Sequence, residues 1–360
     1  MALASLPPEL TLDIADLLDP ESSLNFALTC KQHACLLRSM LREHGQMFSK
    51  WRLVDTQNNP TVLWKTLKEI LMDPQRGWYV RELSLPYIGE FATESRMGDV
   101  AGPSDDDMLK FIDAGQKLRK LYSGSGPEPV RRNSNHMSSV PESEDLASDI
   151  ENRLRLGSED AIVVILLHYL PFLKTIAFST ERMGEFFEAT MHRIASEYKK
   201  PVWISGLPLQ HLKTVAIIQN TIDPGAGSNW GFRFLSIPSL RTFVARGMGG
   251  LPSVSVRDCY IREDTPPYSN VTELFLAQCH FGVKGLDSIL RTIKSLEKLT
   301  YEASYPMEFY ELFDAKGILQ SITARAGHSM QELTLAQEGM DYDVSRESAC
   351  IAQLICISDG

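Results

Sequence analysis

Long apolar runs are missing from this chain of 360 residues. The most apolar stretch, Ala161 to Leu170, is about half the length a bilayer-spanning helix requires, so it reads as core and no membrane segment is expected. Cysteine is scarce. Cys30, Cys35, Cys259, Cys279, Cys350 and Cys356 form no C-x-x-C pair and no dense framework. That argues against a disulfide-stapled secreted scaffold and for reduced, mostly buried thiols in a cytoplasmic or nuclear protein. A basic excess is also absent: 36 Lys and Arg against 46 Asp and Glu give a formal net charge of −10. The charges are interspersed, no basic stripe is visible along the chain, and nucleic acid is not an expected partner. The N-terminus has no positive n-region, and Pro7, Pro8 and Asp13 break any apolar h-region, against a signal peptide.

Catalytic signatures are missing as well. There is no G-x-S-x-G elbow, no H-E-x-x-H, and no kinase or dinucleotide fingerprint. The glycine-rich stretches 223–231 and 247–250 lack the Lys-Ser/Thr of a phosphate loop and read as tight connections. Cys279-His280 is the one adjacent soft-ligand pair, and Cys279 has a structural role in the repeat described below. Asp105, Asp106 and Asp107 follow Ser104 as the acidic first turn of a helix rather than a cation site. The expectation is a protein without catalytic residues, cofactor or metal. A cryptic enzyme using scattered His and Asp side chains is the distant alternative, and it requires a deep pocket of convergent ionisable groups.

What is present begins at Leu6. Prolines at 7 and 8 suit a helix's first turn, and Leu10, Ile14, Leu17 and Leu18 recur at helical spacing. Asp19-Pro20 ends that helix and starts a second, with Leu24, Ala27 and Leu28 on its face. Thr29-Cys30-Lys31-Gln32 reads as a capping box for a third helix carrying Leu37, Met40 and Leu41. Three helices in about forty residues bury too little surface to be stable alone. A partner is the natural remedy.

Residues Leu6-Pro7, Glu9, Ile14, Leu17-Leu18, Leu24, Leu28 and the Thr29-Cys30-Lys31 turn resemble, in order, the F-box. His33 departs from the bulky aromatic that the family usually carries nearby. The resemblance implies docking on the Skp adaptor of a cullin-type ubiquitin ligase through Leu6, Pro7, Glu9, Leu10, Ile14, Leu17, Leu18, Leu24 and Leu28. Its apolar members are divided between the motif's own core and the docking face.

Residues 46–78 read as a helical connector, with a helix over Thr61–Met72 stopped by Asp73-Pro74, and with Trp51, Trp64 and Trp78 as glue between two modules. From Val80 a phrase recurs, apolar-x-x-apolar-x-apolar, with copies at Val80, Leu173, Leu212, Val271, Leu296 and Met330, and with overlapping candidates at Leu240 and Leu251 that begin eleven residues apart, too close for both to be complete turns. Asn220, Cys259 and Cys279 fill the place where a leucine-rich repeat bonds its turning backbone. Helices are expected between copies over Asp105–Ile112, Glu159–Leu170, Glu185–Tyr198, Leu286–Ile293 and Glu308–Ile322. The stretch 123–158, rich in Ser, Pro, Glu and Gly, reads as a disordered insertion, within which Arg131-Arg132-Asn133-Ser134 fits a basophilic kinase pattern.

The expected fold is thus mixed α/β. It comprises a three-helix F-box-like module over 1–45, a connector over 46–78, and an irregular leucine-rich-repeat-like α/β solenoid over 79–360. The phrases VRELSL, LRTFVARGMGG and NVTELFLAQCHF resemble F-box proteins of filamentous fungi. This implies a substrate-recognition adaptor whose repeats bind a protein substrate and whose partners are the Skp adaptor and, through it, a cullin. Period-two alternation turns Ser84, Ala177, Ala216, Val244, Phe275, Thr300 and Thr334 toward the concave surface, making them candidate substrate contacts, with Phe275 either an anchor or a packing residue. The rival reading is a leucine-rich-repeat interaction scaffold with no ligase attached.

Overall fold

The computed structural model describes residues 6–57, 59, 61–86, 102–122, 145–179, 184–200, 202, 206–219, 228–249, 266–279, 281–303 and 314–337. Four helices open the chain: α1 (Pro8–Asp16), α2 (Pro20–Leu28), α3 (Lys31–Leu36) and α4 (Arg38–Trp51). Proline stands in the first turn of both α1 and α2, where its missing N–H is not needed. The Asp19 carboxylate caps α2, accepting from the amides of Glu21 at 3.0 Å and Ser22 at 3.1 Å. Burial alone would raise its pKa; the bonds from Ser22 and the two amides outweigh that and lower it.

The third helix begins one residue later than the capping box implies. Cys30 is its N-cap, with Sγ accepting from the His33 amide at 3.4 Å. Thr29 instead donates to the Phe26 carbonyl at 2.6 Å and pairs with His33 Nδ1 at 2.9 Å. His33 is buried against the Phe26 ring, centroids 4.5 Å apart, and does the packing expected of an aromatic. α4 crosses the expected boundary at residue 45, so module and connector share one helix.

Beyond α4 the elements are β1 (Leu53–Asp55), α5 (Val62–Met72), a 3-10 helix (Pro74–Trp78), β2 (Glu82–Leu85), α6 (Asp105–Tyr122), α7 (Asp145–Arg155), α8 (Glu159–Tyr169), β3 (Thr175–Ser179), α9 (Glu185–Tyr198) and β4 (Thr214–Ile218). A second 3-10 helix (Ser228–Ser236), β5 (Thr242–Arg246), β6 (Glu273–Cys279), α10 (Val283–Arg291), β7 (Lys298–Ala303), α11 (Ala315–Ala326) and β8 (Glu332–Gln337) follow. All eight strands form one parallel sheet whose spatial order is the chain order, β1 through β8.

Seven copies of the recurring phrase become β2 to β8; the copy at Leu251 lies outside the described residues. Their apolar positions align in register. Leu83, Ile176, Val215, Phe243, Leu274, Leu299 and Leu333 form one row, and Leu85, Phe178, Ile217, Ala245, Leu276, Tyr301 and Leu335 the next. From β2 to β7 both rows are buried in one core with Leu67 of α5, Phe111 of α6, Phe187 of α9, Ile289 of α10 and Ile322 of α11. The helices therefore cover one face of the sheet. Alternation leaves the intervening residues on the other face.

Three expectations need correction. β1 is a strand where a connector was expected. α7 lies inside the stretch read as disordered, and it docks through Ile150 and Leu154, both buried; residues 123–144, with the kinase pattern, lie outside the described residues. Two apolar residues at i and i+4 suffice to seat a helix that composition alone conceals. Finally, the stretch after Gly227 is a 3-10 helix rather than a bare connection, and it supplies an aromatic cluster. Trp230 stacks on Phe178 with centroids 5.5 Å apart, and Phe232 on Phe243 at 5.4 Å. Among the described cysteines, Cys279 is buried, Cys30 half-buried and Cys35 exposed; Cys259, Cys350 and Cys356 lie outside the described residues.

Candidate functional site

The first candidate surface is built by helices too short to hide their own leucines. α1 and α2 pack through small side chains: Thr11 and Ala15 on one, Ser23 and Ala27 on the other, all buried. Ser23 Oγ lies 3.4 Å from the Ala15 carbonyl and 3.5 Å from that of Leu18. Close helix approach at small residues turns the larger ones outward. Leu17 is 82% and Leu28 73% exposed, Leu10 49% and Leu24 46%. Leu6, Ile14 and Leu18 are half-buried, and Pro7 and Glu9 exposed. The stripe of Leu10, Ile14 and Leu17 exists, with Leu10 and Leu17 facing outward and Ile14 half-buried, and Leu12 joins the exposed apolar set without having been singled out. The module's own core is Ala15, Ala27 and Leu37, flanked by Phe26, Met40 and Leu41.

α4 fixes this unit to the sheet. Met47, Phe48 and Trp51 pack on the main core, as does Trp64, while Trp78 is half-buried. The buried Arg81 guanidinium lies over the Phe48 ring at 4.8 Å and the Phe172 ring at 5.3 Å. Desolvation lowers its pKa, opposed by the field of Glu21 and Asp19 on α2, so the charges of the two units sense one another.

The second candidate surface is the sheet face away from the helices. Ser84, Ala177, Ala216, Val244, Phe275, Thr300 and Thr334 are partners in one unbroken cross-strand row, with Asp55 of β1 as its unanticipated first member. The row is continuous, but its accessibility is not uniform. Ser84, Ala177, Ala216 and Val244 are buried, Phe275 and Thr300 half-buried, and Thr334 exposed. Ala177, Ala216 and Val244 form a small cluster of their own, and Phe275 packs against it. Their flanking residues on the same face, Thr175, Ser179, Thr214 and Ile218, are buried as well, so this part of the face is closed to solvent as a whole. Expected contacts at those four positions are thereby withdrawn from solvent, leaving Phe275, Thr300 and Thr334. Phe275 is both half accessible and a packing residue.

Cys279 holds the turn that follows β6. Its thiol donates to the Ala277 carbonyl at 3.3 Å and faces that of Ala245 at 3.7 Å. Burial pushes its pKa up to about 12, which keeps it a thiol. Gly247, at φ +72°, closes the equivalent turn after β5; a Cβ there would meet the Gln219 carbonyl oxygen at 2.1 Å. Asn220 and His280 lie outside the described residues.

Among the described residues no group of three His, Cys, Asp or Glu side chains is placed to hold a metal ion. No described helix is long and apolar enough to cross a membrane. No protein-family model, no curated protein and no solved structure matches this chain.

Proposed function

We propose that this chain is the substrate-recognition adaptor of a Skp–cullin–F-box-type ubiquitin ligase. Its N-terminal helices dock on the Skp adaptor. Its strand-and-helix units, read as an irregular leucine-rich-repeat-like solenoid, hold a protein substrate. One observation carries the reading: Leu10, Leu17, Leu24 and Leu28 face outward from short helices whose internal core is three residues. Burying a leucine side chain fully is worth about 1.5–3 kcal/mol. These four, two of them already about half buried, supply part of the favourable term that an interface of about 1,600 Å² sets against association costs of about 4–15 kcal/mol.

The solenoid reading is supported by the sequential parallel order and by the apolar rows that run unbroken across it. In this scheme no residue of the chain touches the bond being made. Rate comes from holding substrate near the ligase's charged enzyme, which raises effective concentration. The packed joint at α4 suits that task because it holds the docking helices at a set angle to the sheet.

The test is direct binding to a purified Skp adaptor by calorimetry. The native chain is expected to bind, and a variant carrying Leu17→Asp and Leu28→Asp to lose binding while keeping its circular dichroism spectrum. Absence of binding by the native chain sinks the adaptor reading and leaves the interaction scaffold without a ligase.

A further inference from the structure

Where each strand begins, the backbone ladder collects five cations that the sequence keeps far apart. The Arg81 amide donates to the Arg52 carbonyl at 2.9 Å, Lys174 to Arg81 at 2.8 Å, Lys213 to Lys174 at 2.8 Å, and Arg241 to Lys213 at 2.9 Å. At about 4.8 Å per strand the row spans roughly 20 Å of one rim of the sheet. The next rungs are Thr272, Glu297 and Gln331, so the basic run ends at β5.

The five are not equivalent. Arg52 is paired with Glu82 at 2.7 Å. Arg81 is buried and donates to the carbonyls of Trp78 and Val80, a structural post. Arg241 is exposed yet fixed, its Nη1 donating to the carbonyls of Leu240 at 2.9 Å, Pro238 at 3.1 Å and Asn270 at 3.3 Å. Lys213 is exposed and Lys174 half-buried, and among the described residues neither ammonium has an acidic or carbonyl partner. Lys294, exposed and donating to Asn270 Oδ1 at 3.0 Å, lengthens the rim beside Arg241. Un-neutralised cations therefore gather at one rim of a chain whose net charge is −10.

We propose that this rim is a docking surface for an acidic segment of a partner protein, with Lys174, Lys213 and Arg241 as its central contacts. Charge complementarity selects the occupant. Duplex nucleic acid carries a charge about every 1.7 Å and continues past the basic run, into Glu297 on one side and the field of a negative molecule on all others. A short run of carboxylates ends where the cations end. The row needs no ligase to act, so it stands or falls apart from the adaptor reading.

The test uses fluorescence anisotropy of the full chain with a labelled oligo-glutamate peptide, a neutral Gly-Ser peptide and a single-stranded oligonucleotide, at low ionic strength. The expected result is preferential binding of oligo-glutamate that weakens as salt rises, because exposed charges are screened. Lys174→Glu with Lys213→Glu is expected to reduce that affinity by about tenfold or more. Leu17→Asp leaves it unchanged, which separates this surface from the leucine face. Should the reversal variant lose its fold, Lys174→Gln with Lys213→Gln carries the test, with an expected loss of about threefold. Oligo-glutamate binding no better than the neutral peptide overturns the proposal. So does affinity that ignores both variants, or tighter binding of the oligonucleotide.

Discussion

His44 Nδ1 lies 2.7 Å from the Tyr79 hydroxyl, joining α4 to the segment that leads into β2. Burial lowers the His44 pKa, opposed by Glu43, Asp16 and Asp19; burial also raises that of Tyr79, aided by Asp73 and Glu43. Near neutral pH the pair is therefore a neutral imidazole and a protonated phenol. Phe48 meets the same tyrosine edge-on, centroids 5.3 Å apart. Tyr79→Phe keeps that ring contact and removes the bond, leaving the Nδ1 of a half-buried histidine without its partner. The expected cost is about 1–2 kcal/mol in urea unfolding, with faster amide exchange in α4.

Ala15 and Ala27 and their leucine neighbours predict opposite outcomes. Ala27→Leu overfills the α1–α2 crossing and is expected to cost about 1–3 kcal/mol, seen as lost amide protection across residues 8–28. Leu28→Ala, one position along and largely exposed, is expected to stay within about 0.5 kcal/mol of the native chain. A large destabilisation by Leu28→Ala would place that side chain in a core and remove the outward leucine face.

Much of this architecture is legible in the sequence because the sheet repeats one simple rule. A buried row needs an apolar residue at fixed places in every strand, so Val215 and Ile217, or Leu274 and Leu276, announce themselves by spacing. β1 does not, since three residues with a single buried valine carry no period. For the leucines of α1 and α2, spacing shows the stripe but not how it divides between core and surface. Hydrophobicity suggests that the larger residues go inside, whereas close helix approach selects Thr11, Ala15, Ser23 and Ala27 for the interior. The cationic rim is invisible along the chain because only strand register brings Lys174, Lys213 and Arg241 together.

Gly115 of α6 faces Ile150 of α7 so closely that a Cβ would lie 2.5 Å from the isoleucine Cγ2. Gly115→Val must push α7 away from the core that Ile150 and Leu154 share with α8. The expected loss is about 1–3 kcal/mol, with protease cleavage appearing within α7 before the sheet unfolds. Gly115→Ala, a milder intrusion, is expected to fall between native and valine.

Acid is expected to act in two stages, because two groups are depressed over different ranges. Burial pushes the His168 imidazole on α8 down to about 4 from an ordinary 6.5, partly opposed by its bond to the Val164 carbonyl. The folded chain thus resists protonation that the unfolded chain accepts, and stability present above pH 6.5 is lost as pH falls toward 4. For a half-buried residue the contribution is about 2 kcal/mol after solvent screening. Asp287 on α10 follows at lower pH. Burial would raise its pKa, but bonds from Arg325, Arg291 and Ser321 hold it near 2 against an ordinary 3.8. Its contribution is complete above 3.8 and disappears as pH falls through 2, loosening the α10–α11 pair by no more than about 1 kcal/mol. His168→Gln should flatten the first stage and Asp287→Asn the second, read by amide exchange in α8 and in α11 respectively. A single transition unaffected by either substitution would mean that neither group controls the acid response.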